Sequence, residues 1–594
     1  MAVGVLVALT LFLAVAAAGA AAQSAPDCSA VTYNGEGTEA SPYEVGDVDR
    51  LQCIEEQGLD ANYLQVSDID ASGTSEWNDG DGFEPIGEFD FVQDTEFTGA
   101  FDGNGHTVTG LTIDRPSEDY VGLFGATDGS GITSVGIDDV DITGDERAGA
   151  VVGWNDGGIL SESYATGNVM GERGVGGLVG WNTDGGTVER SYAQGGIAGD
   201  EDVGGLVGRN SGTVEKSYAE GDVTGKHNVG GLVGVSRGTV KDSYATGDIT
   251  GNEAVGGLVG FNGEGAVSES YATGDVMGEE EVGGLVGASG GTVTASYAEG
   301  DVTGDSRVGG LVGQNDGGTV EESYATGDIT AEERAGGLIG VSRGAVTDTY
   351  ATGTVTGGGN VGGLVGVTSG TVEKSYAAGT VTGDGWYVGG LVGNNGGTAT
   401  ESYATGTVTG DGWYVGGIVG GNGDDATLKK SYAQGDVTGE RRVGGLVGVN
   451  SGTVTESYVT GTVTAEVDVD GLVGDNEGTV TELYWDIEKT GQDESEGGTG
   501  LTTSEMVGSA AMDNMQGFDF TETWVTVTNP EGYPTLAWQP DEDHAQRTGV
   551  AGEEADGTGA MDEEDAEGLP GFGAVAAVIA AVAAICLRAR NDDG

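Results

Sequence analysis

The sequence predicts an all-β protein: a parallel β-solenoid of ~26-residue coils between N- and C-terminal caps, right-handed by the usual hand of parallel crossovers. Three observations carry this. Tyrosines recur at 164, 192, 218, 244, 271, 297, 324, 350, 376, 403, 432, 458 and 484, a mean spacing of 26.7 residues. Each period holds short β-favouring runs between turn residues, and none reaches helical length. Finally, 120 glycines against 8 prolines, with no G-X-Y period, exclude collagen, while 37% hydrophobic residues exclude a wholly disordered chain.

Taken in order, Met1 to Ala22 is an apolar run ending in small residues with an Ala-x-Ala pattern, which reads as a secretory signal over 1–22. Residues 23–120 form an N-terminal capping module. Its Cys28 and Cys53 are an even pair in an exported chain and are expected to be bridged; closing the loop between them would stabilise the module by ~3 kcal/mol on the chain-entropy model. Asp102-Gly103-Asn104-Gly105 reads as a hairpin turn, because its central residues tolerate positive φ. Asp79 and Asp81, within Asn78 to Gly82, offer oxygens to Ca2+, but neither acidic turn completes a calcium loop, so no cofactor and no metal site is expected.

The repeat occupies 121–487. Its unit is GTVEKSYAEGDVTGKHN, Gly212 to Asn228, running on into VGGLVG, Val229 to Gly234. One unit cannot bury its own apolar side chains, so units stack in register ~4.8 Å apart, with glycine at the corners between faces. Side-chain parity puts Ser217, Ala219 and Val223 inward, and Tyr218, Glu220, Asp222 and Thr224 outward, so the tyrosines form an external ladder unless a corner between Ala219 and Val223 breaks the parity. A degenerate earlier unit places Ile137 at the tyrosine position.

The motif G-G-[LI]-[VI]-G occurs eleven times, from Gly176 to Gly448. It lacks the spacing, the following helix and the lysine of a phosphate-binding loop and is read as architecture. With YLQVSDIDASG from Tyr63, FTGAFDGNGHTVTGLTI from Phe97 and VGLFG from Val121, it resembles the GLUG repeat of bacterial and archaeal surface proteins. That resemblance implies a β-solenoid and a surface location, and supplies no reaction.

Residues 488–545, including EGYPTLAW, are expected to cap the last sheet edge, and 546–568 is an acidic linker. An apolar run then ends in Arg588 and Arg590. Counted from Phe572 it is ~24 Å of helix against a ~30 Å hydrocarbon core, a short anchor with its basic side facing the cytoplasm. With Pro570, Gly571 and Phe572 ahead of it, the segment 569–594 resembles the PGF-CTERM signal of archaeal surface proteins. The resemblance implies an archaeosortase as partner and a membrane lipid on the new end.

The chemistry follows from the same residues. Ninety-seven acidic against 22 basic residues give a net charge of −75, which repels nucleic acid and suits a medium salty enough to screen it. His106, His227 and His544 are scattered without an accompanying motif, and acid pairs carry no information in so acidic a chain, so no catalytic residue and no enzyme activity is expected. The alternative is a β-helix carbohydrate-active enzyme. One feature departs from the repeat. The polar loop before V-G-G becomes Asp384-Gly385-Trp386-Tyr387 and, one coil later, Asp411-Gly412-Trp413-Tyr414. Trp386, Tyr387, Trp413 and Tyr414 should stack into an exposed aromatic strip suited to surface glycans or a neighbouring cell's protein, unless a recent duplication merely copied a neutral loop.

Overall fold

Each repeat closes one coil of a parallel β-solenoid from five short strand pieces. In one coil these are Thr213–Glu215, Tyr218–Glu220, Val223–Thr224, His227–Gly230 and Val233–Ser236. The computed structural model describes residues 24–89, 95–528 and 531–539. The signal at 1–22, the linker at 546–568 and the segment 569–594 with Pro570, Gly571 and Phe572 lie outside them. Among the described residues no helix is long and apolar enough to cross a membrane.

Each piece pairs in parallel with its counterpart one coil on: Thr213 with Thr239, Tyr218 with Tyr244, Val223 with Ile249, Val229 with Val255 and Val233 with Val259. The V-G-x-N/S pieces form a separate sheet of 14 strands, each neighbouring the next coil, which sets about 14 turns. Because successive side chains alternate, every coil sends the same residues inward: Val214, Ala219, Val223, Val229, Leu232 and Val233 are 0–3% exposed, and they join one continuous core.

Two polar rows also run inside. The Ser191 amide donates to the Ser217 hydroxyl (3.2 Å), and the Ser217 amide donates to that of Ser243 (3.2 Å). Asn155 donates to Asn182 (2.8 Å), which donates to Asn210 (2.9 Å). A buried polar group costs free energy only while unpaired, so stacking identical residues is what makes these positions tolerable.

The glycines of V-G-G-L-V-G have a steric cause. A Cβ on Gly231 would stand 2.0 Å from the Gly257 oxygen of the next coil, and one on Gly230 would stand 2.6 Å from the Gly260 nitrogen of the next coil. Successive coils touch backbone to backbone there, without room for a side chain.

Four expectations need correction. Gly136, not Ile137, occupies the tyrosine position of the degenerate coil; Ile137 pairs with Ala165 and is buried. With no side chain there, the Tyr164 ring leans over Gly136, and a Cβ on Gly136 would lie 2.6 Å from it. Asp102–Gly105 does turn through positive φ at Asn104 and Gly105, but its flanking strands pair with neighbouring coils and make no hairpin. The corner before each buried serine is not glycine: Arg190, Lys216, Asp242, Glu269 and Ala295 stand there with φ of 47–50°. Their side chains point outward, and the amide of Lys216 is held by the Lys241 carbonyl of the next coil (3.1 Å). Finally, parallel pairing begins at Tyr43, where Tyr43–Val45 pairs with Asn62–Gln65, so the N-terminal residues build the first coils themselves. Cys28 and Cys53 are bridged beside them, with Cα atoms 5.4 Å apart.

At the other end, Thr499–Leu501 pairs on the last repeat strand and covers its edge. The rest of the C-terminal module, with an antiparallel pair Trp524–Thr528 and Glu531–Leu536, folds back along the tyrosines.

Candidate functional site

The parity argument holds, because Ser217, Ala219 and Val223 are buried while Tyr218, Glu220, Asp222 and Thr224 face outward. Outward tyrosines repeating once per coil must stack. From Tyr164 to Tyr458 successive rings lie 4.8–5.1 Å apart, with planes within 7° of parallel. Their ring faces are spent on one another, so the ladder presents ring edges and hydroxyls. Burial beside like rings pushes the Tyr244 hydroxyl up to about 12.

The two tryptophan loops stand on a different part of the coil. Gly383 pairs with Gly410 and Tyr387 with Tyr414, so the loops are in register. In the preceding coil only Gly358 and Gly359 lie between the paired Gly357 and Asn360, whereas Asp384, Gly385 and Trp386 lie between Gly383 and Tyr387. The extra residue lifts each indole outward: Trp386 is 60% exposed and Trp413 46%. The structure brings the four predicted residues together, with Trp386 stacked on Trp413 (5.7 Å, 11°) and Tyr387 on Tyr414 (5.4 Å, 14°).

This geometry limits what the strip can do. Parallel rings at such separations cover each other's faces. On the C-terminal side the Arg441 and Arg442 guanidinium groups lie 5.8 and 6.0 Å from the Trp413 ring, and Arg442 donates to the Tyr414 hydroxyl (2.6 Å). On the N-terminal side the preceding coil offers only Gly358 and Gly359, so the outer face of Trp386 is the open one. It forms a flat apolar shelf one ring wide, with Asp384 and Asp411 exposed beside it. The arginines and the glycine step were legible in the sequence only as loop residues, since their partners come from the neighbouring coil.

The remaining candidates are dispersed. Asp79 and Asp81 are exposed on a short turn. Among the described residues the one close grouping of metal-ligand types is Cys28, Cys53 and Glu56, and its cysteines are spent in the disulfide. His106 pairs with Asp68 (3.2 Å) and His227 with Glu253 (3.3 Å), far apart in the chain. A groove of about 290 Å³ near the N-terminal end is lined by Glu84, Glu88, Arg115, Glu118 and Tyr120. There Arg115 is paired with Glu118 (2.9 Å).

With this periodicity in place, the GLUG motif matches seven segments: residues 199–224, 225–250, 251–277, 304–330, 384–409, 411–438 and 439–464. Seven of the coils thus match the GLUG motif. Both tryptophan loops fall within matched GLUG coils. The chain is 42% identical over 144 residues to halomucin of Haloquadratum walsbyi, a match covering 23% of this chain and 2% of halomucin. It is 37% identical over 130 residues to a protein of Evansella cellulosilytica described as a Gly-rich membrane protein, covering 21% of this chain and 14% of that one. The chain thus spans a small fraction of the length of either relative. A crystal structure described as an immunoglobulin A1 protease from Bacteroides ovatus aligns over 85% of this chain and 95% of that one, at 15% identity. Its TM-score of 0.19 is too low to carry any statement about activity.

Proposed function

We propose that this is a non-enzymatic surface protein: a rigid acidic GLUG solenoid, exported and held at the membrane, that presents Trp386 and its stacked neighbours for adhesion to glycans or cells. The observation that carries the reading is the unbroken coil-to-coil register, which makes a glycine-rich sequence a stiff support for a contact point. Anchoring rests on the resemblance at Pro570, Gly571 and Phe572, with an archaeosortase and a membrane lipid as partners. Sugar rings suit the shelf because their apolar faces pack on an indole while the hydroxyls beyond its edge reach Asp384 and Asp411.

The test is glycan-array and cell-adhesion binding in high salt. Trp386→Ala should abolish binding, whereas Trp413→Ala, whose indole is covered on both sides, should weaken it about tenfold or less by unseating Trp386. Unchanged adhesion in the double variant rejects the strip as the contact point. The second reading, a carbohydrate-active enzyme, is favoured by one observation: the N-terminal groove gathers Glu84, Glu88 and Glu118 around Arg115. Polysaccharide cleavage lost on Glu118→Gln would establish it in place of the first.

A further inference from the structure

The tyrosine ladder reveals a second contact surface, separate from the tryptophan loops. Its C-terminal stretch is already occupied. Tyr432, Tyr458 and Tyr484 are at most 5% exposed beneath the C-terminal module. There Trp524 packs on Tyr458 (5.6 Å) and Tyr432 (6.2 Å), and Phe518 packs edge-on against Tyr484 (5.4 Å). The ladder hydroxyls donate to polypeptide, Tyr458 to the Pro534 carbonyl and Tyr484 to that of Gln516 (2.7 Å). The molecule therefore displays on itself the chemistry its ladder accepts: ring edges from packed protein, and oxygen acceptors at the hydroxyls.

From Tyr164 to Tyr376 the same ladder continues half-exposed for about 39 Å. Sugar stacking is disfavoured there, because the ring faces are consumed by neighbouring tyrosines. An extended peptide lying along the ladder repeats its same-side groups every ~6.6 Å and falls out of step with a 4.8–5.0 Å row within a few coils. A surface made of parallel coils stays in step for the whole length, and a second copy of this chain is such a surface. Tyrosine hydroxyls both donate and accept, so two ladders can satisfy each other.

On a chain of net charge −75 this face too carries more acidic than basic groups, so two copies meet only where salt screens them. Within the open stretch Lys216, Lys241 and Lys374, in the two positions before the S-Y pair, and Arg190 offset part of that charge. Glu215–Lys216 and Lys241–Asp242 pair within the face, at 2.9 and 3.7 Å. Five extended residues, from the corner at Asp242 to Thr246, span ~16 Å, so a strip of this length offers ~600 Å² per copy, the lower end of the range for specific interfaces.

We propose that two copies of this chain associate side by side through the open ladder, Tyr164 to Tyr376, in salt high enough to screen their charge. Sedimentation of the full chain in molar salt tests this. Thr246, Thr326 and Thr352 are exposed two residues beyond Tyr244, Tyr324 and Tyr350 on the same face; Thr250, Thr303 and Thr330 are exposed on the next face. Dimers should form reversibly. The triple variant Thr246→Glu, Thr326→Glu, Thr352→Glu should raise the dissociation constant about tenfold or more at an unchanged melting temperature, while Thr250→Glu, Thr303→Glu, Thr330→Glu should leave it unaltered. A monomer at every concentration, a dimer indifferent to the first triple, or equal loss with both triples overturns the proposal. So does a dimer that disappears only when the C-terminal module is removed, since that outcome means module exchange.

Discussion

The two ends of the tyrosine ladder share one geometry and differ in what lies over them. Tyr218 and Tyr244 stack at 4.8 Å and Tyr432 and Tyr458 at 5.1 Å, all close to parallel. Yet Tyr458 is fully buried, while Tyr218 and Tyr244 remain half-exposed. Stacking is thus a property of the repeat, imposed by backbone register whether or not anything covers the rings. Burial is a property of the non-repeating C-terminal sequence, which supplies Phe518, Trp524, Tyr533 and Trp538. The repeat sets where rings stand, and another piece of protein decides how much free energy they contribute.

The largest break in this comparison comes from deleting one ring at each end. Tyr458→Ala removes a fully buried aromatic and its hydrogen bond to Pro534 and should cost ~3–5 kcal/mol. Tyr271→Ala removes a ring half in solvent and should cost about 1–2 kcal/mol. Denaturant unfolding measures both. Limited proteolysis should also show residues 501–539 becoming cleavable in the first variant alone. Equal costs would mean that the module adds nothing to the rings it covers.

A smaller, reversible effect separates the two stretches by pH. Burial raises the hydroxyl pKa of Tyr192 and Tyr218, and raises that of Tyr458 furthest. A tyrosine whose folded pKa lies above its unfolded value of about 10 binds its proton more tightly in the folded state. Its stabilisation is fully present below pH ~10 and is lost as pH rises through the folded pKa, where charging the ring would break the fold. Ultraviolet titration of tyrosinate should therefore show the open ladder ionising gradually above pH ~10, Tyr244 near 12. Tyr458 should ionise only with cooperative unfolding. If Tyr458 ionises in step with Tyr218, the module does not exclude solvent from it.

Much of this was readable beforehand, and the failures share a cause. Wherever period and parity act, the sequence suffices: Ser217, Ala219 and Val223 inward, Tyr218 outward, and Trp386 over Trp413 at one coil's offset. Wherever a residue answers to another coil or to non-repeating sequence, local reasoning fails. Asn104 and Gly105 adopt the positive φ that their types favour, but their flanking strands found partners in adjacent coils. Ile137 misses the tyrosine position by one residue because its coil lacks the tyrosine that marks register, and the Tyr164 ring leans into the space left at Gly136. The docking of Trp538, whose indole donates to the Glu401 carbonyl (2.8 Å) across 137 residues, has no local signature. Nor do the arginines that close the tryptophan strip.

The smallest expected effect is at the corner preceding each ladder position, where the two stretches differ in what the side chain does. Ala295, with φ of 47°, carries the cost of a left-handed conformation with only an exposed methyl for a side chain. Asparagine tolerates that conformation, so Ala295→Asn should stabilise by up to about 1 kcal/mol. Lys430, with φ of 51°, occupies the equivalent corner beneath the module, and its ammonium donates to the Thr523 hydroxyl (3.0 Å). Lys430→Asn should gain the same backbone relief and lose that contact, for a net change near zero or below. Thermal unfolding of the two variants measures the difference. A gain at Lys430 equal to that at Ala295 would mean that the module holds on through its aromatic residues alone.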